Sequence, residues 1–149
     1  MALVPPSIAS LRVGLASGSK ERLTLLEQIG MQPTVRISNY DENLNKDLVI
    51  DEFVREIAHI KAATIAKLMD TKDYDVIIGC VTVVLFDNDI IGKPVDEQDA
   101  RATLQSGRAG SYGIQACGGI FVEKIDGCYY NAVGSPINRL MRVPWKRVI

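Results

Sequence analysis

The chain has 149 residues, 47% of them hydrophobic and 23% charged, and its 17 basic and 18 acidic residues leave a net charge of -1 at pH 7. This near-neutral balance gives no basic field for a nucleic-acid polymer, and the apolar content argues against intrinsic disorder. We expect one globular domain over residues 1–149, with residues 1–10 as an irregular lead-in.

The cysteines and the apolar runs predict where the protein resides. Cys80, Cys117 and Cys128 include no CxxC pair, which favours free thiols in a reducing compartment over disulfides or a zinc site. The first residues lack the basic and apolar segments of a secretory signal, and the longest apolar run is too short to span a bilayer. We therefore expect a cytoplasmic protein with no membrane partner.

Apolar patterning predicts alternating strands and helices. Strands are predicted at 11–16 and 34–38, and the Val- and Ile-rich segment 75–86 is typical of a strand buried on both faces. Helices are predicted at 20–29, with Ser19 as its N-cap and Gly30 as its stop, and at 51–69, 95–104 and 136–141. Asp126-Gly127 predicts a hairpin over 120–133 with a type I′ turn. The fold class is therefore α/β, with a mixed twisted sheet flanked by helices.

The first strand–turn–helix unit contains the clearest candidate site. Ser17 and Ser19 flank Gly18 before the helix, where unpaired N–H groups and the helix dipole favour an anion. Lys20 and Arg22 add cationic donors. Because the spacing is not that of a P-loop, the segment indicates either a phosphate-binding turn or an ordinary capped helix with solvated charges.

Two lysines and an acidic pair lie at other predicted strand ends and helix positions. Lys61 interrupts the apolar stripe of its helix, so it either extends to solvent or points to an anion in a cleft. Lys93 lies in a Gly-Lys-Pro turn, and the loop pair Asp41-Glu42 offers oxygen ligands for a divalent cation or is simply solvated. Such positions converge in an open α/β sheet, so together they predict a polyphosphate site with Mg²⁺ or Mn²⁺.

Short motifs over about residues 13–140 resemble those of the Maf family of nucleoside triphosphate pyrophosphatases, in the same order. The segments that carry the resemblance are 15–26 (LASxSPRRxxLL), Asp41-Glu42 (DxDE), 58–62 (AxxKA), 78–84 (IGADTVV), 91–100 (LGKPxxxxDA), 109–115 (AGxYGIQ) and 129–136 (YYNVVGLP). The resemblance implies the Maf fold, which is like that of inosine triphosphatase.

The resemblance also implies an activity and a set of roles. Members of the family hydrolyse nucleoside triphosphates between the α and β phosphates, and Thr82 points to dTTP or UTP, although modified nucleotides are also possible substrates. The implied phosphate-binding residues are Ser17, Ser19, Arg22 and Thr82. The implied catalytic residues are Lys61, Lys93 and Gln115, with Glu42 as the ligand of Mg²⁺ or Mn²⁺. A homodimer is a further expectation.

The sequence departs from the family pattern at several positions. Val81 replaces the GADT aspartate, and valine neither accepts a proton nor binds a metal. Glu21 replaces an arginine and adds negative charge near an anionic substrate, while Asn39 replaces the first aspartate of DxDE. After Arg108 an internal strand segment of the family is missing, which predicts unpaired sheet edges or repacking.

Three functional hypotheses remain open from the sequence. The first is a nucleotide pyrophosphatase whose activity is reduced by Val81 and the missing segment. The alternative is a catalytically inactive nucleotide-binding protein, either a pseudoenzyme or a shortened isoform. The third is an α/β domain that binds no ligand.

Overall fold

The computed structural model describes residues 8, 10–40, 49–70, 72–86, 89–91, 96–99, 101, 113–115, 119–120 and 122–143. The elements in chain order are β1 (Val13–Ala16), α1 (Lys20–Gln28), β2 (Thr34–Val35), α2 (Ile50–Leu68), β3 (Val76–Gly79), β4 (Val84–Phe86), β5 (Asp89–Ile91), α3 (Tyr129–Val133) and α4 (Ile137–Leu140).

A three-stranded parallel sheet in the order β2-β1-β3 forms the centre of the fold. All four residues of β1 are buried, as expected for a central strand whose side chains are covered on both faces. Ala16 and Gly79 are register partners at the carboxyl ends of β1 and β3. The segments that follow these two strands therefore leave the sheet side by side.

Helix α1 begins at the predicted Lys20 and ends at Gln28, one residue before the predicted end. The Ser19 hydroxyl accepts a hydrogen bond from the Arg22 amide at 3.3 Å, which satisfies one of the free N–H groups of the first turn. Gly30 follows the last turn with a φ of 89°, a conformation that glycine adopts without steric cost. Leu25 and Leu26 bury one face of the helix, and Arg22 is buried with them.

Helix α2 lies against β3 at unusually short range because β3 ends in glycine. A Cβ atom at Gly79 would overlap the carbonyl oxygen of Ala58 and would lie 3.0 Å from the Cβ of Ala62. Phe53, Ile57 and Ile65 form the buried stripe of the helix. The absence of a side chain at Gly79 thus fixes the level at which α2 crosses the end of β3.

The hydrophobic core lies between β1, β3 and α1. Its buried residues are Ile8, Val13, Leu15, Leu26, Met31 and Ile78. Because β1 is sealed on both sides, the polar groups that follow it at Ser17 are held by a rigid support.

The α/β fold with a sheet and flanking helices is confirmed. The long strand predicted over 75–86 is two strands, β3 and β4, separated by residues 80–83. Strand β4 pairs with β5 in an antiparallel ladder that is separate from the parallel sheet, so among the described residues the two kinds of pairing occupy different sheets.

The hairpin predicted over 120–133 is wrong. Its second half is α3, in which the amide of Asn131 donates to the carbonyl of Cys128 at 3.0 Å. The amide of Gly134 closes the same turn by donating to the Tyr130 carbonyl at 3.0 Å. Local helical hydrogen bonds therefore replace the cross-strand bonds that the Asp-Gly signal predicted.

Two further predictions concern segments that lie partly or wholly outside the described residues. Residues 97–99 are helical, inside the helix predicted at 95–104. The junction after Arg108 lies outside the described residues, and within the described sheet β3 has β1 as its one neighbour. No helix in the described part of the chain is both long enough and apolar enough to cross a bilayer.

Candidate active site

The candidate site lies at the carboxyl ends of β1 and β3. The turn 17–19 follows β1 and leads into α1, while residues 80–82 follow β3. Ser17 is buried and Thr82 is exposed, so the hydroxyls run from the interior to the surface. This edge is where open α/β sheets bind their ligands.

Arg22 joins the segments that meet at this edge. Its Nη1 donates to Ser17 Oγ at 2.7 Å, its Nη2 to Thr82 Oγ1 at 2.8 Å, and its Nε to the Gly134 carbonyl oxygen at 2.9 Å. Thr82 Oγ1 lies 3.4 Å from the same carbonyl oxygen, to which its hydroxyl donates. One guanidinium thus holds together the turn after β1, the segment after β3 and the link between α3 and α4.

The charge of Arg22 is buried, and no carboxylate of the described residues neutralises it. The residue is only 9% exposed, and each of its side-chain partners is a neutral oxygen. In the described part of the chain no Asp or Glu oxygen forms an ion pair with it. Three of its five N–H groups are used in these bonds, and no described residue accepts from the other two, which a ligand can use.

Arg12, at the opposite edge of the sheet, provides a contrast. It precedes β1, and its guanidinium pairs with the Asp75 carboxylate through Nη2–Oδ1 at 3.0 Å and Nε–Oδ2 at 3.2 Å. The positive charge at the amino ends of the strands is therefore neutralised within the fold. At the carboxyl ends no described carboxylate neutralises Arg22, so its charge favours a bound anion.

The N-terminus of α1 carries a carboxylate of its own. Ser19 Oγ donates to Glu21 Oε2 at 2.8 Å. The pKa of Glu21 is lowered by a hydrogen bond from its own backbone N–H and by the Ser19 bond, with smaller contributions from the positive charges of Arg22 and Lys20. Glu21 is therefore a stabilised anion at the helix end where the sequence predicts phosphate binding.

Cys80 connects Arg22 with Lys61. Burial raises the pKa of the Cys80 thiol, and this is opposed by the charge of Arg22, by a hydrogen bond with Ser135 and by the charge of Lys61. Both cations therefore act on the same sulfur at the end of β3. The close approach of α2 at Gly79 explains this, because Lys61 lies three residues after Ala58 on that helix.

The structure brings together several of the predicted site residues. Ser17, Arg22 and Thr82 are in direct contact, and Ser19 caps the helix beside them. Gln115 is exposed in a short turn where its amide lies against Gly113, and no described contact links it to this cluster. Lys93 and Glu42 lie outside the described residues, so their roles stay predictions.

The described residues do not by themselves form a metal site. No group of three or more His, Cys, Asp or Glu side chains within them is arranged to hold a metal ion. The side chain of Val81, half-buried beside Thr82, offers no ligand atom. The requirement for Mg²⁺ or Mn²⁺ therefore stays a prediction that depends on Glu42.

Two contributors to the site were not assigned a role from the sequence. The Gly134 carbonyl accepts from Arg22, and Ser135, only 4% exposed, bonds with Cys80. Gly134-Ser135-Pro136 separates two apolar segments and belongs to the last of the family-like motifs, which was the available signal. Every residue has a backbone carbonyl, so the sequence does not show which carbonyl acts as an acceptor, and the structure is needed to identify it.

Comparison with known proteins agrees with the motifs. The family model described as Maf-like protein matches residues 12–108 and 105–144. Similar relatives named dTTP/UTP pyrophosphatase come from Clostridium botulinum (strain Okra / Type B1), at 32% identity over 179 residues covering 85% of this chain and 92% of the relative, and from Clostridium beijerinckii, at 34% over 182 residues covering 87% and 96%. A third, from Clostridium novyi, is 31% identical over 187 residues, covering 89% and 96%.

These alignments are longer than the 149 residues of the chain, so part of each relative faces a gap here. The two family matches meet at residues 105–108, where the sequence predicts the missing segment. Together the two matches cover most of the chain in the expected order. The chain belongs to the Maf-like protein family.

Proposed function

We propose that this protein binds a nucleoside triphosphate such as dTTP or UTP and hydrolyses it to the monophosphate and pyrophosphate. The observation that carries the proposal is the buried charge of Arg22, whose side-chain partners among the described residues are all neutral oxygens at the carboxyl ends of β1 and β3. The names of the relatives supply the substrate class.

The triphosphate would lie along the edge formed by the two strand ends. Two N–H groups of Arg22 have no acceptor among the described residues, and Lys61 adds a second positive charge near Cys80. The Ser17 hydroxyl accepts from Arg22 and from the Ser19 amide, so its own proton remains to be donated to a phosphate oxygen. Phosphate oxygens would thus meet donors that are already fixed in place.

Hydrolysis requires a water molecule to attack the α-phosphorus in line with the departing pyrophosphate. The charges of Arg22 and Lys61 would stabilise the negative charge that develops on the phosphate oxygens. In this proposal Lys93 and Gln115 also contact the substrate, and Glu42 would hold a Mg²⁺ or Mn²⁺ ion that neutralises phosphate charge. Glu42, the predicted ligand of this ion, lies outside the described residues.

Val81 is the weak point of the catalytic arrangement. A side chain at this position lies next to Thr82, within the segment that follows β3, but valine has no atom that accepts a proton from water. We therefore expect slow turnover. This feature supports the second candidate function, in which the site binds the nucleotide without hydrolysing it.

Pyrophosphate release separates the two functions. The purified protein is incubated with dTTP or UTP in the presence of Mg²⁺ or Mn²⁺ or with EDTA, and nucleotide binding is measured in parallel by calorimetry. Turnover by the wild-type protein supports the pyrophosphatase, whereas binding without turnover supports the non-catalytic function. Absence of both would contradict the proposed site.

Val81→Asp tests whether a carboxylate is the missing group. General-base catalysis contributes about 10²–10⁴-fold, so the variant should hydrolyse dTTP at least about tenfold faster than the wild type. Val83→Asp, which places the same group two residues further along, is the matched control and should give no gain. Equal rates in the wild type and in Val81→Asp would show that the defect lies elsewhere, with the missing segment after Arg108 as the remaining candidate.

A further inference from the structure

We infer that Glu21 competes with the nucleotide phosphates for hydrogen-bond donors at the start of α1. This chain would therefore bind highly charged ligands less tightly than its other site residues would allow. The inference rests on the proposed function. It concerns a single side chain that determines affinity and discrimination between ligands of different charge.

The geometry places the Glu21 carboxylate on donors that a phosphate would need. It accepts a hydrogen bond from the Ser19 hydroxyl at 2.8 Å and another from its own backbone N–H in the first turn of α1. The Ser19 hydroxyl has a single proton, which this bond to Glu21 uses, while its oxygen accepts from the Arg22 amide at 3.3 Å. A phosphate oxygen can use Ser19 as a donor only after Glu21 has released it.

The buried guanidinium of Arg22 gives a second, independent reason to expect an anion here. It is nine-tenths buried and has no ion-pair partner among the described residues. Its charge contributes to the lowered pKa of Glu21, so the two groups share one electrostatic environment. Glu21 thus offsets part of the positive charge of Arg22, and a bound phosphate would have to take over this role.

The size of the effect depends on the charge of the ligand. Glu21 is exposed, so it can rotate away into solvent, but its charge then remains near the ligand and repels it. A triphosphate carries more negative charge than a monophosphate. Removal of the Glu21 charge should therefore improve the binding of dTTP more than that of dTMP.

The test is calorimetric binding of dTTP, dTMP and inorganic pyrophosphate to the full chain at low salt and pH 7.5. Glu21→Gln removes the charge and keeps the shape, and Glu21→Ala is a second neutral variant. Glu27→Gln makes the same charge change at the other, exposed end of α1 and serves as the matched control. Circular dichroism verifies that each variant is folded.

We expect both Glu21 variants to bind dTTP and pyrophosphate about three- to tenfold more tightly than the wild type, from the loss of one charge at the helix terminus and beside the ligand. The change for dTMP should be less than about twofold, Glu27→Gln should match the wild type, and 0.5 M salt should reduce the gain. Equal binding of dTTP by the wild type and the Glu21 variants would overturn this inference alone. If none of the proteins binds dTTP or pyrophosphate, the proposed function is contradicted as well.

Discussion

Replacement of Gly79 by alanine tests the packing that positions Lys61. The new methyl group would overlap the carbonyl oxygen of Ala58 and would lie 3.0 Å from both the Ala58 carbonyl carbon and the Ala62 Cβ. These neighbours belong to the backbone and the first side-chain atom of a helix, so no rotamer change relieves the overlap. Helix α2 must move away from β3 as a unit.

The size of the effect follows from what α2 buries. Overpacking in a core costs about 1–3 kcal/mol, and the upper part of that range applies because backbone atoms are involved. The displacement also opens the contacts of Ile57 and Ile65, which are almost completely buried. We therefore expect Gly79→Ala to lower the free energy of unfolding by about 3 kcal/mol and to weaken dTTP binding through the shift of Lys61.

Gly18→Ala is the matched control for this substitution. A Cβ atom there would lie 3.2 Å from the terminal Cδ1 of Ile37, which is 62% exposed and free to move. The cost should be below about 1 kcal/mol, the usual range of surface substitutions that meet a flexible neighbour. Urea unfolding followed by circular dichroism gives both values, and equal losses for the two variants would refute the direct packing of α2 on Gly79.

Two further predictions concern the charges at the site. Arg22→Met should lower dTTP affinity more than tenfold and destabilise the fold by about 2–4 kcal/mol, because Ser17, Thr82 and the Gly134 carbonyl lose their donors. Arg22→Lys should have an intermediate effect, and Arg12→Met at the opposite edge should leave binding unchanged. Calorimetry measures the affinities and urea unfolding measures the stabilities. Cys80 should react slowly with iodoacetamide at pH 8, because burial raises the pKa of its thiol above that of an exposed cysteine. Stability linked to this thiol is fully present below the pKa of an exposed cysteine and is lost as the pH rises through the higher pKa of the folded state. Cys80→Ala should therefore flatten the alkaline decline in the urea midpoint, and an unchanged decline would contradict the assignment.

The sequence predicted those elements whose ends carry chemical signals. Ser19 and Gly30 mark the two ends of α1, because a hydroxyl cap and a residue that tolerates positive φ are specific requirements of helix ends. The segment 75–86 carried no such signal, since a continuous run of Val and Ile does not show where the chain leaves the sheet. The pattern of 128–133 was equally compatible with a short helix, and the Asp-Gly turn favoured the wrong alternative.

The site was predictable to the extent that topology determines it. Parallel strands place Ser17 and Thr82 at one edge, and the family-like motifs identified both residues along with Arg22. The internal hydrogen bonds of Arg22 could not be predicted, because two of its partners, Thr82 and Gly134, are distant in sequence and one of these is a backbone carbonyl. The bond between Glu21 and Ser19 depends on a side-chain rotamer that sequence does not specify.

The most direct test of a triphosphate site at the carboxyl ends of β1 and β3 is amide chemical-shift mapping of the ¹⁵N-labelled protein titrated with pyrophosphate and then with dTTP. We predict saturable shifts that begin at Ser17, Ser19, Thr82 and Ser135 and leave the amides of Arg12 and Asp75 unchanged. Shifts centred on Arg12 and Asp75, or none at the first group, would contradict the assignment of the site.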